Sequence, residues 1–194
     1  MDKTILFIDG SNLYGSQFAL FGPKKFLSFK DLIPRLEKLL KISFNKIFFY
    51  ASFSPIPKKP NKKQKLYLKN EALFYKNVRK TPKVDFFKGY RSPTSGKEKE
   101  VDVKLAVDMV DMAHRNKYQK MYLISGDADF LHALFAVAKL KKGVRLICIH
   151  NKIMYKAMYY FPTYLVRFED HDQIDLKQTT SPIKITINKT VIKS

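Results

Sequence analysis

Short unbroken apolar blocks alternate along this chain with longer stretches in which apolar residues return every three or four positions. Residues 4–8, with Ile5, Leu6, Phe7 and Ile8, form the first block, the kind of strand that is buried on both faces of a parallel sheet. The segment 12–26 holds aromatics and a Gly22-Pro23 turn, and predicts a short helix that ends as a loop. Ser28 and Asp31 stand where a helix should be capped, ahead of Leu32, Ile33, Leu36, Leu39 and Leu40 at helical spacing. Residues 46–53 predict the second strand and 84–90 the third, joined by a helix over 62–80 with Leu66, Leu73, Phe74 and Val78 on its inner side.

The same alternation continues. Residues 91–100, with Pro93, Ser95 and Gly96 among charges, read as a mobile surface loop. A helix over 101–115 leads to a strand at 121–124, a helix at 128–142 and a strand at 143–149. A further helix is expected near 153–160, ended by Pro162, and a short sixth strand at 165–168. Residues 1–169 thus form one domain and 170–194 a polar tail, in which Ile183, Ile185 and Ile187 alternate so that it either adds an edge strand or hangs free. Strands alternating with helices in this way imply βαβ units, a mostly parallel sheet and right-handed crossovers.

That architecture gives position to the carboxylates. Asp9 ends the first strand and Asp127 and Asp129 follow the fourth, in Ile124-Ser125-Gly126-Asp127-Ala128-Asp129. Ligands of open α/β sheets bind beyond the carboxyl ends of the strands, where strand order reverses. If the first and fourth strands are neighbours there, their ends lie about 4.8 Å apart. The helix at 101–115 runs antiparallel to the sheet, which brings Asp102 to the same rim. Singly, each acid has a plainer role: Asp127 or Asp129 caps the next helix, and Asp102 favours a helix N-terminus. Together, without cations, they would repel one another and hold their protons, so their convergence implies a divalent metal. With oxygen donors and no cysteine or histidine at zinc spacing, that metal is Mg²⁺ or Mn²⁺.

Composition narrows the partner. The 194 residues carry 37 Lys and Arg against 17 Asp and Glu, a formal charge of +20, which favours a polyanion. Lys58, Lys59, Lys62, Lys63 and Lys65 are candidates to hold a phosphate backbone, with Tyr67 or Tyr90 stacking on bases; the plainer reading of both is a solvated helix face. The lone Cys148, in an apolar run, reads as a buried hydrophobe of a reducing compartment. No signal peptide and no membrane-length apolar run are present, so a cytoplasmic location is expected and Asn188-Lys189-Thr190 is not expected to be glycosylated. The four histidines are scattered and receive no role; His132 is expected to face solvent or a neighbouring side chain.

Three ordered motifs carry a family resemblance: Phe7-Ile8-Asp9-Gly10-Ser11-Asn12-Leu13, Val101-Asp102-Val103-Lys104-Leu105-Ala106-Val107-Asp108, and Ser125-Gly126-Asp127-Ala128-Asp129-Phe130 with Gly143-Val144 beyond. Over about residues 4–168 the chain resembles NYN domains, nearest the bacterial LabA-like branch of the PIN-like nuclease superfamily. The resemblance implies a three-layer α/β/α sandwich, Rossmann-like, with strand order 3-2-1-4-5, and metal-dependent cleavage of RNA phosphodiesters. It implies that Asp9, Asp102 and Asp127 form the acidic metal site, that Asp129 is a fourth carboxylate, and that Ser11, Asn12 and Ser125 support them or the phosphate. The Gly96-Lys97-Glu98-Lys99-Glu100 lead-in is longer than the family's usual one and leaves either Glu100 or Asp102 facing the metal. Asp108 lies six residues beyond Asp102, points away from it, and reads as a surface partner of Lys104.

The expected chemistry is a metal on Asp9 and Asp127 that polarises a phosphate oxygen and acidifies a bound water, with Asp102 or Asp129 orienting that water or holding a second ion. A haloacid-dehalogenase phosphatase needs a nucleophilic aspartate where this chain has Phe7, and no Gly-Lys-Ser or Gly-Lys-Thr loop supports a P-loop hydrolase. A nucleic-acid-binding module or adaptor with little or no nuclease activity is the standing alternative. RNA, single-stranded or structured, is the expected partner; a membrane is not, and a homo-oligomer is left open.

Overall fold

The computed structural model describes residues 3–22, 28–91, 98–149 and 160–166. Their elements are β1 (Thr4–Asp9), α1 (Gly10–Phe21), α2 (Phe29–Leu40), β2 (Lys46–Ala51), α3 (Lys62–Arg79), β3 (Val84–Lys88), β4 (Tyr90–Arg91), β5 (Glu98–Lys99), α4 (Val101–His114), β6 (Lys120–Ile124), α5 (Leu131–Lys139), β7 (Gly143–Ile149) and β8 (Thr163–Val166). Six strands form one parallel sheet in the order β3-β2-β1-β6-β7-β8, while β4 and β5 pair separately and antiparallel. Counted along the main sheet this is 3-2-1-4-5-6, the expected order with one more strand at the edge.

Side-chain alternation splits the interior into two layers. Leu6 and Ile8 of β1, Ile47 and Phe49 of β2, and Tyr122 and Ile124 of β6 point to one face, where they pack with Leu13 and Tyr14 of α1, Phe29, Leu32 and Leu36 of α2, and Phe74 and Val78 of α3. Ile5 and Phe7, Tyr50, and Met121 and Leu123 point to the other face, against Val101, Leu105 and Met109 of α4 and Leu134 and Val137 of α5. Helices thus cover both faces of a parallel sheet, and that is why β1 is apolar without interruption until Asp9.

Two glycines set how closely elements approach. A side chain on Gly10 would fall on the Phe49 ring and 2.9 Å from the Ala51 Cβ, so α1 can start directly at the end of β1 only with glycine there. A side chain on Gly89 would collide with Val101, so glycine lets the chain leaving β3 pass close beneath the first residue of α4. At the base of α3, Asn61 and Gln64 form a reciprocal capping box, with bonds of 2.9 and 2.8 Å.

Several boundaries and faces differ from expectation. The helix after β1 begins at Gly10, because Asp9 caps it. Ser28 occupies the cap position of α2 without making a side-chain cap bond. Leu73 is exposed, and α3 instead buries Asn70, Glu71, Phe74, Tyr75 and Val78. The third strand stops at Lys88, and Tyr90 pairs with Lys99 in a small ladder inside what reads as a loop. The stretch read as one helix from Ala128 is a 3₁₀ turn (Ala128–Phe130) followed by α5. The sixth strand starts two residues earlier than expected, at Thr163. The expected helix at 153–160 falls almost wholly outside the described residues, as does the tail. No helix among the described residues is long and apolar enough to cross a membrane.

Candidate active site

The strand-order reversal lies between β1 and β6, and the sequence places polar side chains at the end of each. Asp9 is one step beyond the Ile8↔Ile124 pair, and alternation turns it, like Ser125, to the α4 face. Asp9 is 4% exposed. One of its oxygens accepts the Asn12 N–H at 2.9 Å and the other accepts the Ser125 hydroxyl at 2.9 Å. The Ser125 oxygen accepts the Asp127 N–H at 3.0 Å, and the Asn12 side-chain oxygen accepts the Gly126 N–H at 3.1 Å. The two strand ends are therefore joined twice through side chains. Cys148 of β7, buried as expected, donates its thiol to the Ser125 carbonyl at 3.3 Å, and burial pushes that thiol up to about 12.

Burial is the largest influence on Asp9 and raises its pKa from 3.8 to about 7. The hydrogen bonds from Asn12 and Ser125 oppose this, while the charges of Asp102 and Asp127 add to it. Asp102 and Asp127 thus lie within electrostatic reach of Asp9, on the same rim. Asp127 is half-buried and accepts the Asp129 N–H at 2.9 Å, so it also caps the 3₁₀ turn. Asp129 is exposed and is absent from the charges acting on Asp9, as is Glu100. Glu100 takes a left-handed conformation with φ 74° just ahead of α4. Of the two acids in the lead-in, Asp102 is the one that acts on Asp9.

Among the described residues, no group of three or more His, Cys, Asp or Glu side chains stands close enough together to hold a metal ion. The donors are oxygens, and the most buried of them has its pKa raised to about 7, chiefly by burial, with the charges of Asp102 and Asp127 adding to it. That chemistry fits a hard cation keeping several waters, such as Mg²⁺, better than a closed protein cage.

Asp102 lines a groove of about 750 Å³ with Phe87, Val101, Val103, Lys104 and Val107. Asp108 bonds Lys104 at 2.5 Å as expected, but it is more than a surface partner: it also accepts the buried Tyr50 hydroxyl at 2.7 Å. Tyr50 is the register neighbour of Asp9, so this bond ties α4 to β2 beside the rim. No local sequence signal marks it, since the partners are 58 residues apart. A second interaction without a local signal is that of the buried Glu71 of α3, which accepts both the N–H and the hydroxyl of Ser54 at 2.8 and 2.7 Å and fixes the start of the lysine-bearing loop.

Lys58, Lys59, Lys62, Lys63 and Lys65 are all exposed, on the segment that leaves the carboxyl end of β2 and opens α3. Tyr67 is half-buried, with its ring packed edge-on against Tyr14 and Phe18, at 5.0 and 4.7 Å between centroids. Tyr90 is 52% exposed. Ser11 and Asn12 are half-buried in the first turn of α1, and His132 is exposed.

A parallel sheet wrapped on both faces, with aspartates at its switch point, defines an α/β protein of the PIN-like kind. The family model of the NYN domain matches residues 3–164, and the chain belongs to the NYN domain family, within the PIN-like nuclease superfamily. Its fold is similar to that of a protein of unknown function from Vibrio parahaemolyticus, with a TM-score of 0.62 at 16% identity over 88% of this chain and 94% of that one. No curated protein matches this chain significantly.

Proposed function

We propose that this NYN domain is a metal-dependent ribonuclease of the LabA-like branch, acting in the cytoplasm on RNA phosphodiester bonds. The observation that carries the reading is the convergence at the switch point: Asp9, buried and bonded to Ser125, under the charges of Asp102 and Asp127. Asp9 and Asp127 would hold Mg²⁺ or Mn²⁺, and Asp102 or Asp129 would orient the attacking water or hold a second ion. When bound, the ion supplies an acidified water and charge stabilisation at phosphorus. Ser125 and Asn12 keep the Asp9 carboxylate in one orientation and join it to the loop bearing Asp127. Asp102, in the first turn of α4, would orient that water or accept its proton. The exposed lysines from Lys58 to Lys65, at the same edge of the sheet, supply sequence-independent phosphate contacts.

The absence of a close three-carboxylate group among the described residues favours a second reading, a nucleic-acid-binding module with little turnover. Cleavage of a labelled RNA with and without Mg²⁺ or Mn²⁺, run beside Asp127→Asn, separates the two. The nuclease reading expects metal-dependent cleavage that Asp127→Asn reduces at least a hundredfold, with RNA binding kept. Binding without cleavage in the wild type, or equal cleavage by both proteins, refutes it.

A further inference from the structure

Helix α4 spans the sheet from its carboxyl edge to its amino edge, and a cavity opens at each of its ends on the same flank. The first is the groove of about 750 Å³ beside Asp102, lined by Val103, Lys104 and Val107 of α4 and Phe87 of β3. The second, of about 460 Å³, lies between Asp111, Met112 and Arg115 of α4 and Ile5, Lys46 and Phe48 of the sheet, with Lys3 and Lys117 at its mouth. Lys104, Val107, Asp111 and Arg115 recur at three- and four-residue spacing, so one face of α4 forms a wall common to both cavities. Phe87, Phe48 and Lys46 of β3 and β2 form the facing wall. Val103 and Val107, one turn apart on α4, are 68% and 55% exposed and give the groove an apolar wall.

Charge separates the two ends. At the acidic end stand Glu100 and Asp102. At the far end are four cations, of which Arg115 is paired with Asp111 at 3.0 Å and Lys46 with Asp85 at 2.8 Å. Lys3 and Lys117 have no ion-pair partner among the described residues, and both are exposed. An apolar floor of Ile5, Phe48 and Met112 under cations that have no ion-pair partner among the described residues matches a chain that presents bases and phosphates together.

We infer that the flank of α4 is the track of a single nucleic-acid strand, which runs from the acidic edge past Val103 and Val107 and is held by its phosphates in the basic cleft around Lys3 and Lys117. Only the direction of the track rests on the proposed cleavage at the acidic edge. Fourteen residues of α4 extend about 20 Å, the length of roughly six phosphates in a stacked strand. A strand much shorter than that reaches only one end.

The test uses the full chain and unstructured labelled RNA of about four and about twelve nucleotides, lengths chosen to fall below and above that span. Lys3→Glu with Lys117→Glu is compared with Lys30→Glu and Lys38→Glu, which make the same charge change on exposed positions of α2, across the sheet. The track variant is expected to lose about tenfold or more in affinity for the long RNA and little for the short, and its salt slope on the long RNA to fall by about 1.4, some 0.7 for each phosphate no longer neutralised. The control pair should weaken both lengths slightly and alike. Equal losses by the two variants, equal losses on the two lengths, or an altered oligomeric state with unchanged RNA binding would overturn the track. Because the readout is binding, a protein that never cuts RNA can still pass, and one that cuts but shows no length effect fails only this inference.

Discussion

Replacing Asp9 with asparagine in the metal-free protein should remove a specific pH dependence of stability. In the unfolded chain Asp9 ionises near 3.8, whereas in the fold burial holds its proton to about 7. Below the lower value it is neutral in both states and costs nothing. Between the two the folded state binds the extra proton, so stability falls as pH rises, and the loss is complete once the folded pKa has been passed. At 1.36 kcal/mol for each pH unit, the interval is worth about 4 kcal/mol, an upper bound because water admitted to the ionised carboxylate lessens the burial penalty. Asparagine never ionises, but its amide can mimic only one of the two acceptor oxygens, which costs about 1 kcal/mol. Asp9→Asn should therefore be slightly less stable than wild type at about pH 4 and more stable by about 2–3 kcal/mol at about pH 8.

Urea unfolding with chelator present, at several pH values across that interval, reads the difference between the two proteins, in which the titration of other groups largely cancels. A difference independent of pH would show that Asp9 is not held neutral by burial. Adding Mg²⁺ at about pH 8 gives an independent reading: at a hundred times its dissociation constant the ion should stabilise the wild type by about 2.7 kcal/mol and Asp9→Asn by little. Equal stabilisation of both would remove Asp9 from the metal site.

Gly89→Ala puts a methyl group against Val101 and should lift the N-terminus of α4, lowering stability by about 1–3 kcal/mol and cleavage by more than that loss explains; unchanged cleavage would detach Asp102 from the site. Tyr50→Phe removes the 2.7 Å donor to Asp108 and should cost about 1.5–3 kcal/mol in urea unfolding, against well under 1 kcal/mol if Asp108 were only a surface partner of Lys104. Replacing Lys58, Lys59, Lys62, Lys63 and Lys65 with glutamine should weaken RNA binding and flatten its salt dependence by about 0.7 for each phosphate left without its lysine, with cleavage at saturating RNA intact; an unchanged slope in a filter-binding titration would make that stretch a solvated face.

Elements with several turns or a full strand of pattern are legible in the sequence, because burial on one face repeats. The β4 and β5 strands are not, since two residues carry no period. The start of α1 at Gly10 rather than at residue 12 is not legible, because what lets a helix begin there is the close approach to the Phe49 ring, a long-range contact. On α3 the apolar Leu66 and Leu73 suggest a buried face that the structure turns outward in part, burying Asn70 and Glu71 instead; tertiary partners, such as Ser54 for Glu71, decide what the helical spacing cannot. The aspartates at the rim are legible from strand order. Their bonding is not, because the Ser125 to Asp9 bond joins residues 116 apart.

The placement of Asp9 depends on the parity of β1. Phe7 and Asp9 share a face because side chains alternate, so a slip of one residue would turn Asp9 toward Phe49 and the aromatic layer, where Ser125 is out of reach. The slip is resisted by apolar demand on both faces: Leu6 and Ile8 are wholly buried on one side and Phe7 on the other. Asp9 is held at the next position by its cap bond to Asn12, which starts α1 and draws the chain over Phe49. The same carboxylate thus ends the strand, begins the helix and has its pKa raised by burial. Its helix cap explains why the backbone turns at Asp9, but not why the second oxygen is bonded to a neighbouring strand and kept beside two further acids. That surplus over a structural role is what a bound cation would relieve, and it is the ground on which the proposed metal site rests.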